Sequence, residues 1–149
     1  MSNPEATAAF PRMSGRDLHG RAVTLPDDLP DRRGVAIVAF QRWHQGEVDR
    51  WVEMLQTHAP LPVVEIPYIS TPFRPVAGFV AQGMRSGITG DDARTRTITV
   101  YGNQRGLARR LGATAHRPIV IAHRNGVMKA VAQGEPTPDQ ARALAAAVG

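Results

Sequence analysis

The sequence predicts one α/β domain in which a central mixed β-sheet is flanked by helices. Three observations predict it. A continuous apolar run, VAIVAF (35–40), is followed by a stretch of helical periodicity and then by a second β-type run, a βαβ order. In the second half, Asn125-Gly126 separates two β-type runs, the sequence signature of a tight hairpin. An Ala-rich helical segment closes the chain, so a βαβ half precedes a ββα half and the sheet must mix parallel and antiparallel strands.

Residues 1–13, small and polar, read as a flexible leader, and 14–149 as a single domain. RDLHGRAVTLPDDLP gives an N-terminal β-hairpin that turns at His19-Gly20 and ends at Pro26 and Pro30. The run 35–40 has three β-branched residues and suits a strand buried on both faces. A helix follows over 46–58. Val48, Trp51, Val52 and Leu55 form one apolar stripe, and Glu47 and Asp49 lie in the first turn, where the helix dipole favours acids. Pro60 and Pro62 stop it. VVEIPYI (63–69) is the next strand, with Pro67 expected to weaken its pairing beyond that point.

An irregular insertion is expected around 70–96. Val76, Phe79, Val80 and Met84 suggest a helix face there, which Gly78, Gly83 and Gly87 weaken. TITVY (97–101) is a strand, and 104–111 an Arg-rich helix stopped by Gly112. The hairpin strands are 118–123 and 127–132, and 138–148 is the last helix, with Pro138 in its first turn.

The composition narrows the function. At 149 residues, 42% hydrophobic and 21% charged, the chain suits one soluble globular domain. The formal charge of +5 comes from scattered arginines, with Lys129 the only lysine and no interleaved aromatics, so no nucleic-acid partner is expected. No apolar run approaches the ~20 residues of a membrane span. MSNPEATAAFPRM lacks the features of a signal peptide, and a cytoplasmic location is the expectation. The chain has no cysteine, which removes disulfides, thiolate nucleophiles and Cys-ligated metals together.

The leading hairpin, VAIVAF, HRPIVIAHRNGVM and the last helix together resemble the thioredoxin-like superfamily over roughly 14–148, in particular its peroxiredoxin and alkyl-hydroperoxide-reductase branch. The chain is more closely similar to cysteine-free bacterial relatives. They share an F-x-R-x-x-Q-x-x-V-D-x-W turn (40–51), an E-[LI]-P strand (65–67) and an M-R-x-G-I segment (84–88). It is distantly similar to the mitochondrial assembly-factor family for the ATP synthase. The resemblance implies a thioredoxin-like fold and a cis Arg117–Pro118 bond facing the active-site turn. In that turn Trp43-His44-Gln45-Gly46-Glu47 stands in place of W-C-x-x-C, with His44 and Glu47 near the thiol positions. Thiol oxidoreductase, peroxidase and isomerase activities therefore do not carry over.

His44 has an ordinary pKa near neutrality, and Glu47, one helical turn on, is placed to orient it for acid–base work. The alternative is a solvated or helix-capping histidine beside a first-turn acid. Glu65, a carboxylate inside an apolar strand, needs a partner. Arg42, Arg85, Arg94 and Arg96 are candidates for a buried ion pair, and a pocket carboxylate is the alternative. Tyr68 and Tyr101 offer hydroxyls or packing. The five histidines show no ligand spacing, so neither metal nor cofactor is expected.

Three functions fit. The first is a non-redox binding or assembly module that holds a protein partner, a small-molecule ligand or another copy of the chain. It would act through the former active-site face, using Arg42, Trp43, Gln45, Tyr68, Arg85, Arg94 and Pro118. The second is a small non-redox acid–base enzyme, for example in specialised metabolism, with His44, Glu47 and Glu65 as its catalytic residues. The third is a structural homologue with no ligand.

Overall fold

The computed structural model describes residues 8–70 and 94–149. Its strands are β1 (Ala8–Ala9), β2 (Met13–Asp17), β3 (Ala22–Leu25), β4 (Arg33–Ala39), β5 (Val63–Ser70), β6 (Ile98–Gly102), β7 (Ile119–Arg124) and β8 (Val127–Gln133). The helices are α1 (Gln45–His58), α2 (Gln104–Arg110) and α3 (Pro138–Val148), with a 3-10 turn, Arg42–His44, leading into α1. The eight strands form one sheet in the order β1-β8-β7-β4-β5-β6-β2-β3. β4 pairs parallel to β5 and β5 parallel to β6, whereas β4–β7, β7–β8, β2–β3 and β2–β6 are antiparallel. The mixed sheet expected from the βαβ and ββα halves is present.

Alternation along β4 divides the core. Val35, Ile37 and Ala39 pack with Val48, Trp51 and Leu55 of α1 and with Ala141, Leu144 and Val148 of α3. Ala36, Val38 and Phe40 face the other way, against Ile66, Ile98, Leu107 and Ile119. A fully buried Val, Leu or Ile side chain contributes about 1.5–3 kcal/mol, so both faces hold β4 in place and with it the turn it feeds. The β7–β8 turn has the left-handed backbone expected of its type, with φ 52° at Asn125 and 77° at Gly126. Thr137 caps α3 by accepting a hydrogen bond from the Gln140 amide at 3.1 Å.

One expectation is corrected and another holds in part. Composition assigns residues 8–13 to a flexible leader, but Ala8 and Ala9 pair with Met128 and Val127, and Phe10 and Met13 are buried in the core. Pro67 does not end β5, which runs on to Ser70, but the pairing with β4 stops at it, as expected. Pro67 faces Ala39 at the end of the β4–β5 ladder, and beyond it β5 pairs only with β6, so a missing N–H interrupts nothing. Most of the irregular insertion, including its helix face and the 84–88 motif, lies outside the described residues.

Candidate functional site

The turn after β4 places Arg42, Trp43 and His44 at the carboxyl end of the two central parallel strands. Gln41 is extended, and the His44 amide donates to Gln41 O at 3.0 Å, closing the 3-10 turn. Arg42 is exposed, and Trp43 keeps 71% of its surface accessible. The next residue is its opposite: His44 is 1% exposed. Its ring stands edge-on to Trp43 at 4.3 Å and to Phe40 at 6.2 Å.

Both nitrogens of the His44 ring are engaged. Nδ1 accepts from the Phe40 amide at 3.1 Å, and Nε2 lies 3.0 Å from the His116 carbonyl oxygen. An amide can only donate and a carbonyl can only accept, so the ring is neutral with its proton on Nε2. Burial pushes the imidazole below its ordinary pKa, and its contact with the His116 carbonyl opposes that. His44 is thus not solvated, and although it stands at the N-cap position of α1 its side chain makes no capping bond there.

Glu47 is also buried, but it faces Arg117, whose guanidinium lies 3.3 Å from its Oε1. Its Oε2 is buried without a hydrogen-bond partner, and burial raises its carboxyl above the ordinary range while Arg117 opposes the rise. Arg117 also approaches Glu135 at 3.8 Å, and Arg50 grips Glu135 at 2.7 and 3.0 Å. His44 and Glu47 do not bond to each other: His44 is held by His116 O and Glu47 by Arg117, both in the loop before β7.

No arginine among the described residues pairs with Glu65. Among the described residues its hydrogen-bond partner is Gln45, whose Nε2 donates to Oε1 at 3.4 Å and to Asp49 Oδ1 at 2.9 Å. Arg96 pairs with Asp31, Arg94 is exposed with its carbonyl accepting from the Leu18 amide, and Arg85 lies outside the described residues. Burial raises the Glu65 carboxyl, the Gln45 bond opposes this, and Asp49 adds to it. Tyr68 is half-buried, with its ring edge-on to Phe40 at 6.0 Å, and burial raises its hydroxyl.

Pro118 is buried, but the expected cis bond before it is absent; the cis bond among the described residues is Leu25–Pro26. In the trans arrangement the loop ahead of Pro118 offers its carbonyls to side chains. His116 O meets His44, and Arg117 O and Thr114 O accept from Gln133 Nε2 at 3.0 and 2.6 Å.

Residues the sequence did not single out complete the site. Gln104 Nε2 donates to Phe40 O at 2.8 Å and to Tyr68 O at 2.9 Å, bridging the ends of β4 and β5 from the start of α2. Gln133 and Arg117 shape the loop opposite. No local pattern marks these glutamines, because their partners are set by the sheet. Among the described residues no group of three or more His, Asp or Glu could hold a metal ion.

No protein-family model and no curated protein matches the chain. Solved structures do. The chain is similar to copper-bound ScoI of Arabidopsis thaliana at a TM-score of 0.60, with 11% identity over 95% of this chain and 98% of that one. It is similar to a thioredoxin-family thiol:disulfide interchange protein of Chlorobium tepidum at 0.58, with 16% identity over 96% and 97%. A DsbF homologue from Corynebacterium diphtheriae matches at 0.55, with 19% identity over 93% and 85%. At these identities the likeness speaks for architecture. With the observed sheet order and the helix-bearing turn after β4, it shows that the chain has the thioredoxin-like fold.

Proposed function

We propose that this protein is a non-redox binding or assembly module, cytoplasmic in location, that holds a protein partner through the face around Arg42, Trp43 and the 114–118 loop. One observation carries the reading. In the turn that resembles W-C-x-x-C, the two residues near the thiol positions are withdrawn into structural bonds, while the tryptophan beside them is 71% exposed. An exposed indole on a turn anchored this firmly offers a large apolar contact at low entropic cost. The acid–base alternative would need a free basic nitrogen on His44, and both of its nitrogens are engaged. The finer placement, near the peroxiredoxin-like branch and its cysteine-free relatives, is part of the same proposal and is supported by the motifs at 40–51 and 65–67.

The test is site-directed photocrosslinking in the cells that make the protein, with benzoylphenylalanine at position 43 and, as control, at exposed position 143 on α3. The expected result is a discrete adduct from position 43 that is absent from position 143 and weakened by Arg42→Glu. An adduct of two chains would identify the partner as a second copy. The same pattern from both positions would overturn the proposal.

A further inference from the structure

His44 does more than fill space, because its two bonds join parts of the chain that are otherwise separate. Phe40 ends the β4 run, and His116 belongs to the loop before β7, 72 residues further on. The ring that spans them is also the wall against which Trp43 rests. Of the three protonation forms of an imidazole, only the Nε2–H tautomer can satisfy both neighbours. In the imidazolium, Nδ1–H would point at the Phe40 N–H, donor against donor, at a site 1% exposed to water.

We propose that His44 is a proton-operated latch on the binding face: its neutral ring clips the Trp43 turn to the 114–117 loop, and the imidazolium releases it. This rests on the reading of that face as a binding surface and adds its regulation. A ligand that needs the clipped shape is held when His44 is neutral and let go when acid protonates it.

The groups around the ring are consistent with this. The turn and α1 contribute Arg42, exposed, and Glu47, held by Arg117. The facing loop contributes Arg117 and His116, whose carbonyl favours the charged ring and whose own charge disfavours it. β4 presents Phe40, and β5 presents Tyr68 behind it. Among the described residues none places a carboxylate on His44, so protonation gains no new partner from them. His123, the other buried histidine, is different: its Nδ1 has no partner, and it packs edge-on to Phe10 near Asp31, so its protonation reverses no existing bond.

The experiment is NMR on the uniformly ¹⁵N-labelled full chain, titrated from about pH 7.5 downward without ligand. The histidine ring nitrogens, the Phe40 and His116 amides and the Trp43 indole are followed together. We expect the Nε2–H tautomer of His44 at the start and a midpoint below the ordinary value of about 6.5. The Phe40 amide and Trp43 indole should move with that same midpoint. Below it, the open-to-closed ratio should rise by up to about tenfold per pH unit, read as loss of Phe40 amide protection after correction for intrinsic exchange. His44→Gln offers a carbonyl and an amide to the same two partners without titrating, and should leave the Trp43 signal flat. If that variant does not fold, the tautomer and the shared midpoint of the unmodified protein still decide the matter. An Nδ1–H tautomer at neutral pH would overturn the latch. So would titration of His44 with the Phe40 and Trp43 signals unmoved, or a Trp43 transition that persists in His44→Gln. None of these readouts uses a partner, so failure of the latch and failure of the binding reading are separately visible.

Discussion

Among the described residues, Glu65 in β5 has a neutral amide as its hydrogen-bond partner and a second carboxylate, Asp49, on the far side of that amide. Burial raises its pKa above the reference value of 4.5, so the folded protein binds its proton more tightly than the unfolded chain does. The sign follows: ionised Glu65 weakens the fold above about pH 4.5, and the penalty disappears as the pH falls below that value. Each unit of such a shift is about 1.4 kcal/mol at neutral pH. Glu65→Gln keeps an acceptor for Gln45 and removes the charge. It should raise stability by roughly 1 kcal/mol at pH 7, with the gain fading toward pH 4, in paired thermal melts. A lower melting temperature at pH 7 would mean that Glu65 has a cationic partner after all. Gln104 is the converse case, a neutral side chain on which two strand ends depend. Gln104→Ala strands the Phe40 and Tyr68 carbonyls and should cost about 1–3 kcal/mol in urea unfolding. An unchanged midpoint would show that water replaces the amide without loss.

At the scale of elements, the edge strand β3 shows how the sheet avoids growing. Asp28 Oδ2 accepts from the Thr24 amide at 2.7 Å, and the Asp28 amide donates to Thr24 O at 2.8 Å. The residue thus occupies both backbone groups that Thr24 would offer to a neighbouring strand. Asp28→Ala should expose that edge and promote self-association, seen as a concentration-dependent mass increase in light scattering; a variant that stays at the parent's mass would show that the edge is guarded elsewhere. The elements themselves were largely legible in the sequence, because their signals are local. The β7–β8 hairpin follows from Asn125-Gly126, and α3 from its Ala-rich run with Pro138 in the first turn. What was not legible depends on distant partners. Ala8 and Ala9 read as leader because small residues carry no strand signal, and only β8 makes them a strand. His44 read as solvated or catalytic because the two groups that bury it, the Phe40 amide and the His116 carbonyl, are brought together by β4 and the loop before β7. The bridge made by Gln104 spans 64 and 36 residues.

Over the whole molecule, a chain without cysteine holds this fold without disulfides, and its buried ionisable groups then set its response to pH. His44 and His123 are both buried and both lowered in pKa from the reference value of 6.5, chiefly by burial. The folded protein therefore binds their protons less readily than the unfolded chain. Their stabilisation is complete above about pH 6.5 and is lost as the pH falls through their folded values. Glu47 and Glu65, raised by burial, act in the opposite direction as the pH climbs past 4.5. The two effects meet between pH 4.5 and 6.5, so the slope of the unmodified protein alone does not assign either one. Differences between variants do. His44→Gln and His123→Gln should each flatten the acid loss of stability across that interval, by at most about 1.4 kcal/mol per pH unit for each histidine. Urea unfolding at three pH values across the interval measures this. Only the slope matters, so a uniformly less stable variant still reports. If both variants run parallel to the parent, neither histidine is held neutral by the fold.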